Sequence, residues 1–416
     1  MRPLPSAQAM RVLFIHQNFP GQYRHLAPAL VARGDSVLAL GAPRASGLEG
    51  IPLRRYPLPK ETPPGHPWAA DCQTKCVRAA AVARLAAQCR DEGFHPDLVV
   101  GHPGWGELLA IKDVFPSVPV LHQLEWVYPL SGGDSTFDPE FPLPSETLSL
   151  VRLRRAPQFL AFHDLDHAWA PTHWQAASAP ALFQERISVI HEGIDTRAIG
   201  PNPAAEVRLQ RAGLTLRAGD EVLTFVARNL EPYRGFHTFL RLLPELQRRR
   251  PALQVILVGA DGVSYGKPPA GGGTWRQVVL RELEGQLDLS RLHFVGQVPH
   301  ALLHQLFQLC RAHAYFTYPF VLSWSLLEAM ACGAVVVGSA TPPVAEVIDQ
   351  GINGHLVDFF DQQGWIDTLE HVLADPDGQR TLREKARQRV VERYDLQSQC
   401  LPKQLALVDQ VAALKC

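Results

Sequence analysis

The chain has 416 residues, 46% of them hydrophobic and 19% charged, with 40 basic against 41 acidic side chains and a formal net charge of −1. Its length exceeds one comfortable domain and suggests two, while the neutral balance argues against a nucleic-acid scaffold and leaves a soluble enzyme as the default. No run approaches the roughly 18 apolar residues of a membrane span, and seven scattered cysteines without a Cys-x-x-Cys pair exclude a disulfide frame and fit a reducing cytoplasm.

The first nine residues read as an unstructured leader, and "MRVLFIHQ" is too short and polar for a signal peptide. "RVLFIHQ" (11–17) is a strand, followed by a turn at Gly21 and the apolar helix "YRHLAPALVARG". Strands continue at "SVLALGA" (36–42), "DLVVGHP" (97–103), "VPVLHQL" (118–124), "HAWAPT" (167–172) and "ISVIHEG" (187–193). The polar stretch "DTRAIGPNPAAEVRLQRAG" is the best linker, with a hinge near residue 200. A second series follows at "VLTFVAR" (222–228), "QVILVGA" (254–260), "LHFVGQV" (292–298), "AHAYFTYP" (312–319), "AVVVGS" (334–339) and "GHLVDF" (354–359). Strands alternating with helical patterns imply parallel sheets in βαβ units. The expected fold class is therefore α/β, with two Rossmann-like domains facing a central cleft. They cover 10–198 and 199–385, with a helical segment at 386–416 placed to pack back on the first domain.

Ligands of open parallel sheets sit beyond the carboxyl ends of the strands. Arg228 and Arg234 lie there on one loop, "RNLEPYRG", either to grip a diphosphate with their forked donors or as a surface salt-bridge loop. Gly235 after them fits a close helix approach, and "SYGKPPAGGG" (264–273) reads equally as a ligand cover or a surface loop. "FTYPFVLSWSLLEAMACGAVVVGS" (316–339) reads as strand, turn, helix and strand, with the helix over 326–333 and Ser323 or Ser325 as its cap. Glu328 would then stand in about the first turn. It could reach a ribose diol, or simply be an acid favoured there by about 0.3–1 kcal/mol through the helix dipole.

In the first half, Gly21 stands without the full Gly-x-Gly-x-x-Gly set, so a dinucleotide site is unsupported. His16, His102 and His122 follow three strands, with Glu125 and Trp126 close behind, and suit either hydroxyl binding or satisfied structural positions. "HDLDH" (163–167) would place His163 and His167 on one face only in a helix, whereas "HAWAPT" reads as a strand, so no metal residues are assigned. A Gly-x-Ser-x-Gly elbow is absent, which weighs against hydrolase chemistry. Arg152, Arg154 and Arg155, and Arg248 to Arg250, are solvated helix faces or a peripheral contact with anionic lipid.

"VIHEGIDT", "FVARNLEPYRGF", "VILVGAD", "HFVGQVP" and "LSWSLLEAMACGAVVVGS" with "VAEVIDQGINGHLVD" occur in this order. Together they resemble the retaining, nucleotide-sugar-dependent glycosyltransferases of family four, which have the GT-B fold. The stretch from "RVLFIHQNFPGQYRHLAPAL" to "DPEFP" further resembles a bacterial subgroup with a variant amino-terminal domain. The resemblance implies that Arg228 and Arg234 grip the donor diphosphate and that Glu328 holds the donor ribose. It puts Ser323, Trp324 and Ser325 on the phosphates or sugar and Gly296, Gln297 and Val298 on the base. His122 falls near a histidine beside the donor sugar, and Gly21 in the loop approaching donor and acceptor.

One departure is sharp: the family's Glu-x7-Glu motif would place its first acid at position 320, which is Phe320. The resemblance further implies a metal-independent transferase with no cofactor beyond its nucleoside-diphosphate sugar, UDP favoured. The acceptor would be a carbohydrate, lipid-linked or other hydroxyl group in bacterial surface glycan or glycoconjugate synthesis, at the cytoplasmic side of the membrane, with "EWVYPLSGGDSTFDPEFPLP" (125–144) contacting it. The alternatives are a GT-B nucleotide-sugar epimerase, a catalytically inactive sugar-nucleotide-binding protein and, least supported, a nicotinamide oxidoreductase.

Overall fold

The computed structural model describes residues 9–60, 65–210 and 213–414, so the expected leader lies outside the described residues except for its last position. The chain forms two compact units, one running to Gly193 and resuming at Gln397, the other Ile194–Leu396.

The first unit is built on β1 (Arg11–Ile15), β2 (Ser36–Gly41), β3 (Leu53–Arg55), β4 (Leu98–Gly101), β5 (Val120–Gln123), β6 (His167–Ala170) and β7 (Ile187–Val189). They lie in the order β3-β2-β1-β4-β5-β6-β7, every pair parallel. Val12, Leu13, Phe14 and Ile15 are all fully buried, the mark of a parallel strand covered on both faces. Leu13, Ile15 and Val99 pack under the helix Ala70–Asp91 through Val82 and Leu85. The opposite face joins Val12, Phe14, Tyr23 and Leu30 to Leu407, Val408 and Val411 of the helix Leu401–Ala412. That terminal helix is further tied by Arg33 to Asp409 at 2.8 Å and by Gln404 donating to the His191 carbonyl.

The second unit opens with an antiparallel hairpin, β8 (Glu206–Leu209) and β9 (Leu214–Arg217). This corrects the linker reading. Val207 and Leu216 point into the unit's core, and Arg387 donates to the carbonyls of Thr196 and Ile199, so the segment around residue 200 is held within the second unit. The main sheet contains β10 (Val222–Asn229), β11 (Gln254–Ala260), β12 (Leu292–Gly296), β13 (Ala312–Tyr315), β14 (Val336–Ser339) and β15 (His355–Val357). Its order is β12-β11-β10-β13-β14-β15, again parallel throughout. The helix Arg380–Tyr394, which the sequence reading splits between its second domain and its terminal segment, packs wholly within this unit on the helix Trp324–Ala331.

In both parallel sheets the strand order reverses beside the sheet's first strand in sequence, at β1/β4 and at β10/β13. Such a switch point opens a crevice at the carboxyl ends. No helix of the described residues is long and apolar enough to cross a membrane.

Candidate active site

In the second unit the switch point is bridged by Arg234. It ends a short 3-10 turn, Pro232–Arg234, after β10, and its guanidinium donates to Thr317 Oγ1 at 2.7 Å and to the Val321 carbonyl at 3.3 Å, both beyond β13. It also lies 5.3 Å from the Tyr265 ring. Burial alone would lower its pKa, but the nearby Tyr315, Tyr265 and Glu231 outweigh that and raise it, so the cation is secure. Gly235 follows in the left-handed region at φ 65°, where a Cβ would meet the Phe316 Cβ at 2.4 Å. Glycine alone lets the chain turn there into the helix Phe236–Arg249. Arg228, by contrast, is exposed and makes no ion pair among the described residues. The structure therefore separates the two arginines into a fixed cation and a free one.

Glu231 sits between them, fully buried, and its carboxylate accepts the amides of Ser264, Tyr265 and Gly266. The start of the 264–273 segment is thus pinned beside the switch point. Nothing in the sequence separates Glu231 from a surface acid, because its partners lie more than thirty positions away.

The helix in the 316–339 stretch spans Trp324–Ala331, two positions earlier than expected. Ser323 is its cap, accepting the Ser325 amide at 3.2 Å, and the two serine hydroxyls are hydrogen-bonded to each other. Ser323, Trp324 and Ser325 are half-buried. The earlier start moves Glu328 to the second turn, with no acid in the first, so the helix-dipole explanation of Glu328 fails on position. Its side chain is buried and faces His304 Nε2 at 3.7 Å and His300 Nδ1 at 3.9 Å, both on the adjacent helix His300–Leu309. That helix starts directly beyond Gly296, Gln297 and Val298: Gly296 ends β12 at φ 71°, Gln297 is exposed and Val298 packs against the core. The sequence reading assigned no metal residues. The structure nevertheless gathers the ligand atoms of His300, His304 and Glu328 within 4.8 Å of one another.

Phe320 is buried, its ring 4.9 Å from Tyr265 and 5.8 Å from Tyr233. Tyr318 joins the same group at 4.9 Å from Tyr233. The position where the family pattern has an acid is here part of an aromatic cluster.

In the first unit, His16 and His102 follow β1 and β4 and meet edge-on at the switch point, 6.2 Å between ring centres. Each Nδ1 accepts the amide two residues on, Asn18 for His16 and Gly104 for His102, and His191 does the same with Gly193. In the neutral ring this places the proton on Nε2. That of His102 donates to Glu125 Oε2 at 3.2 Å. Burial holds His16 and His191 neutral, with pKa lowered to about 3. These histidines are therefore turn caps presenting N–H donors rather than free bases. Gly21 lies against His16, at φ 48°, where a Cβ would stand 2.6 Å from the ring.

His122 is placed differently from the expectation. It lies within β5, fully buried, both ring nitrogens without a hydrogen-bond partner, near Phe162. That setting lies inside the strand, one residue before the end of β5, and not in the loop beyond it. Its neighbour Gln123 instead bonds Glu192 at 2.8 Å. His163 and His167 also part company, the first ending the helix Ser145–His163 and the second opening β6.

Comparison with known proteins adds to this geometry. Residues 33–199 match the family described as "Glycosyl transferase family 4 group", and residues 207–389 match "Glycosyl transferases group 1". The chain is 30% identical over 324 residues to the D-inositol 3-phosphate glycosyltransferase of Mycobacterium tuberculosis, and 28% over 319 residues to that of Mycolicibacterium vanbaalenii. These matches cover 75% and 72% of this chain but 61% and 64% of the relatives, so the chain spans under two thirds of the length of the curated relatives it matches. Among solved structures, sucrose-phosphate synthase from Thermosynechococcus elongatus superposes with a TM-score of 0.72 at 18% identity, covering 97% of this chain and 99% of that one. HepE from Anabaena, solved with UDP and glucose, superposes at 0.66 and 20% identity, covering 96% and 99%. At such identities the superpositions speak for the fold.

Proposed function

Since the chain belongs to the glycosyltransferases that join a family 4 domain to a group 1 domain, we propose that it transfers a sugar from a nucleoside-diphosphate sugar to a hydroxyl acceptor. UDP is the favoured nucleotide, a choice supported by the fold neighbour solved with UDP-glucose. The observation that carries the reading is the pairing of a buried, partnered cation with an exposed, unpartnered one on a single loop, Arg234 and Arg228, beside a serine-capped helix start.

In this reading Arg228 meets the diphosphate as a mobile clamp, while Arg234 supplies a positive field without reorganising. The helix start at Trp324 and Ser325 adds the positive end of the helix dipole. Glu328 accepts the ribose hydroxyls, and the backbone of Gly296, Gln297 and Val298 borders the base. Charge building on the departing diphosphate is stabilised by groups already in place, and a diphosphate oxygen takes the acceptor's proton as the new bond forms on the same face. The configuration of the sugar is then retained. His16 with its Nε2–H, and Gly21 beside it, serve the acceptor side on the first unit. Transfer into a surface glycan or a lipid-linked intermediate is the biological setting that the family suggests.

The test is calorimetric titration of UDP and UDP-sugars into wild type, Arg228→Ala and Glu328→Ala. Both variants should lose donor binding while keeping the wild-type unfolding midpoint to within a few degrees. Wild-type affinity in both would remove the site. Binding without transfer or slow hydrolysis across an acceptor panel would favour the inactive binder.

A further inference from the structure

His300 and His304 stand one helical turn apart on the helix His300–Leu309, the spacing that sets two side chains on one face. The Glu328 carboxylate faces both from the neighbouring helix, its Oε1 3.9 Å from His300 Nδ1 and 3.7 Å from His304 Nε2. Two features distinguish this trio from chance surface neighbours. Its exposure is graded, with side chains 7% exposed for Glu328, 19% for His304 and 67% for His300, so one end is anchored inside and the other opens to solvent. In addition, His304 Nε2 is buried without a hydrogen-bond partner, and an unsatisfied buried nitrogen calls for a ligand.

We propose that His300, His304 and Glu328 form a site for a borderline transition cation of the zinc type, and that its occupation excludes the donor nucleoside. Two imidazoles and one carboxylate are a ligand set that zinc accepts, leaving its fourth position to water. Tetrahedral zinc bonds of that kind put ligand atoms roughly 3.3 Å apart, so each histidine needs to close on Glu328 by only about half an ångström, and all three ligand atoms already lie within 4.8 Å of one another. The exposed His300 has the freedom to do so. The exclusion half of the inference rests on the reading of Glu328 as the ribose carboxylate. A cation bound to Oε1 takes the charge that would accept the ribose hydroxyls, and it fills the space in front of that carboxylate. The site would make the enzyme sensitive to free zinc without giving zinc any part in transfer.

The experiment uses the full chain, freed of metal with a chelator and titrated with zinc chloride in phosphate-free buffer. Wild type, His300→Ala, His304→Ala and the double variant are measured with zinc alone, then with UDP at zero and saturating zinc. Expected are one zinc per chain in the wild type and a loss of affinity in each single variant of at least the roughly tenfold seen when even a supporting partner of a metal ligand is removed. Zinc should also raise the apparent Kd for UDP in the wild type beyond its effect in the double variant, which accounts for zinc held by the nucleotide itself. Equal zinc binding by wild type and double variant overturns the site. UDP affinity equally affected, or improved, by zinc in the wild type overturns the exclusion. Failure of UDP to bind the zinc-free wild type counts against the donor reading instead, and the loss of zinc in the variants still decides the metal site.

Discussion

The Arg234 guanidinium is hydrogen-bonded to the Thr317 hydroxyl at 2.7 Å, joining the loop after β10 to the loop after β13. Thr317 is itself fixed, its amide bonded to Ser339 Oγ and its carbonyl accepting from the same hydroxyl. The fixed arginine of the proposed donor site is therefore held by three strand ends. Thr317→Val keeps the shape and removes the acceptor. It should weaken UDP binding by about tenfold, the worth of one hydrogen bond to a charged group, with a smaller effect on urea unfolding. Calorimetry showing undiminished UDP affinity would mean that Arg234 needs no such orientation.

Phe320→Glu restores the family's acid but places it among Tyr233 and Tyr265. A carboxylate buried there without a built partner should cost at least about 2 kcal/mol of stability, visible as a lower urea midpoint, with Phe320→Leu costing less. Donor preference is to be read only after that loss is corrected for, across a panel of UDP-sugars. A Phe320→Glu protein as stable as wild type would show that the aromatic cluster already tolerates the acid.

Glu231→Gln leaves one oxygen to accept where the carboxylate serves three amides. The expected loss is about 1–3 kcal/mol, together with faster proteolysis between residues 264 and 273 than elsewhere. Unchanged cleavage in that segment would separate Glu231 from its control.

Four buried histidines, His16, His122, His191 and His313, have pKa lowered from 6.5 to about 3, with desolvation the leading cause for each. Between those values the unfolded chain binds more protons than the folded one, so stability is full above pH 6.5 and falls as pH drops below it. Each site contributes up to about 1.4 kcal/mol per pH unit. Urea midpoints measured from pH 7 to 5 should fall steeply, and His122→Leu should flatten that slope, since His122 forms no hydrogen bond to lose. An identical slope in the variant would place the acid sensitivity elsewhere.

The strands are legible because a parallel sheet buried on both faces demands continuous runs such as "VLFI" and "VVVGS", and the glycines and arginines after them follow from where such sheets bind ligands. Long-range partnership is not legible. Glu231 reads as a surface acid until the 264–266 amides are brought to it, and Thr317 reads as strand filler until Arg234 arrives. The hairpin β8–β9 is hidden at the supposed linker because Pro201 and Pro203, just before it, outweigh the short Val207 and Leu209 alternation. The histidine pairs show how spacing depends on its element. His163 and His167 have the interval of a metal pair but straddle a helix end and a strand, whereas His300 and His304 have the same interval on one helix. The periodicity of "HALLHQLF" already indicates that helix, but only the fold brings Glu328 to it.

The helix Leu401–Ala412 completes the hydrophobic core of the first unit with Leu407, Val408 and Val411. During synthesis those residues leave the ribosome only after the whole of Ile194–Leu396. Leu121 and Trp169, which share that core cluster, must therefore wait uncovered while the second unit is made. The usual amino-to-carboxyl order of domain folding is inverted in this chain: its first unit to begin is its last to close, and the stretch of time between is when a chaperone has most to protect.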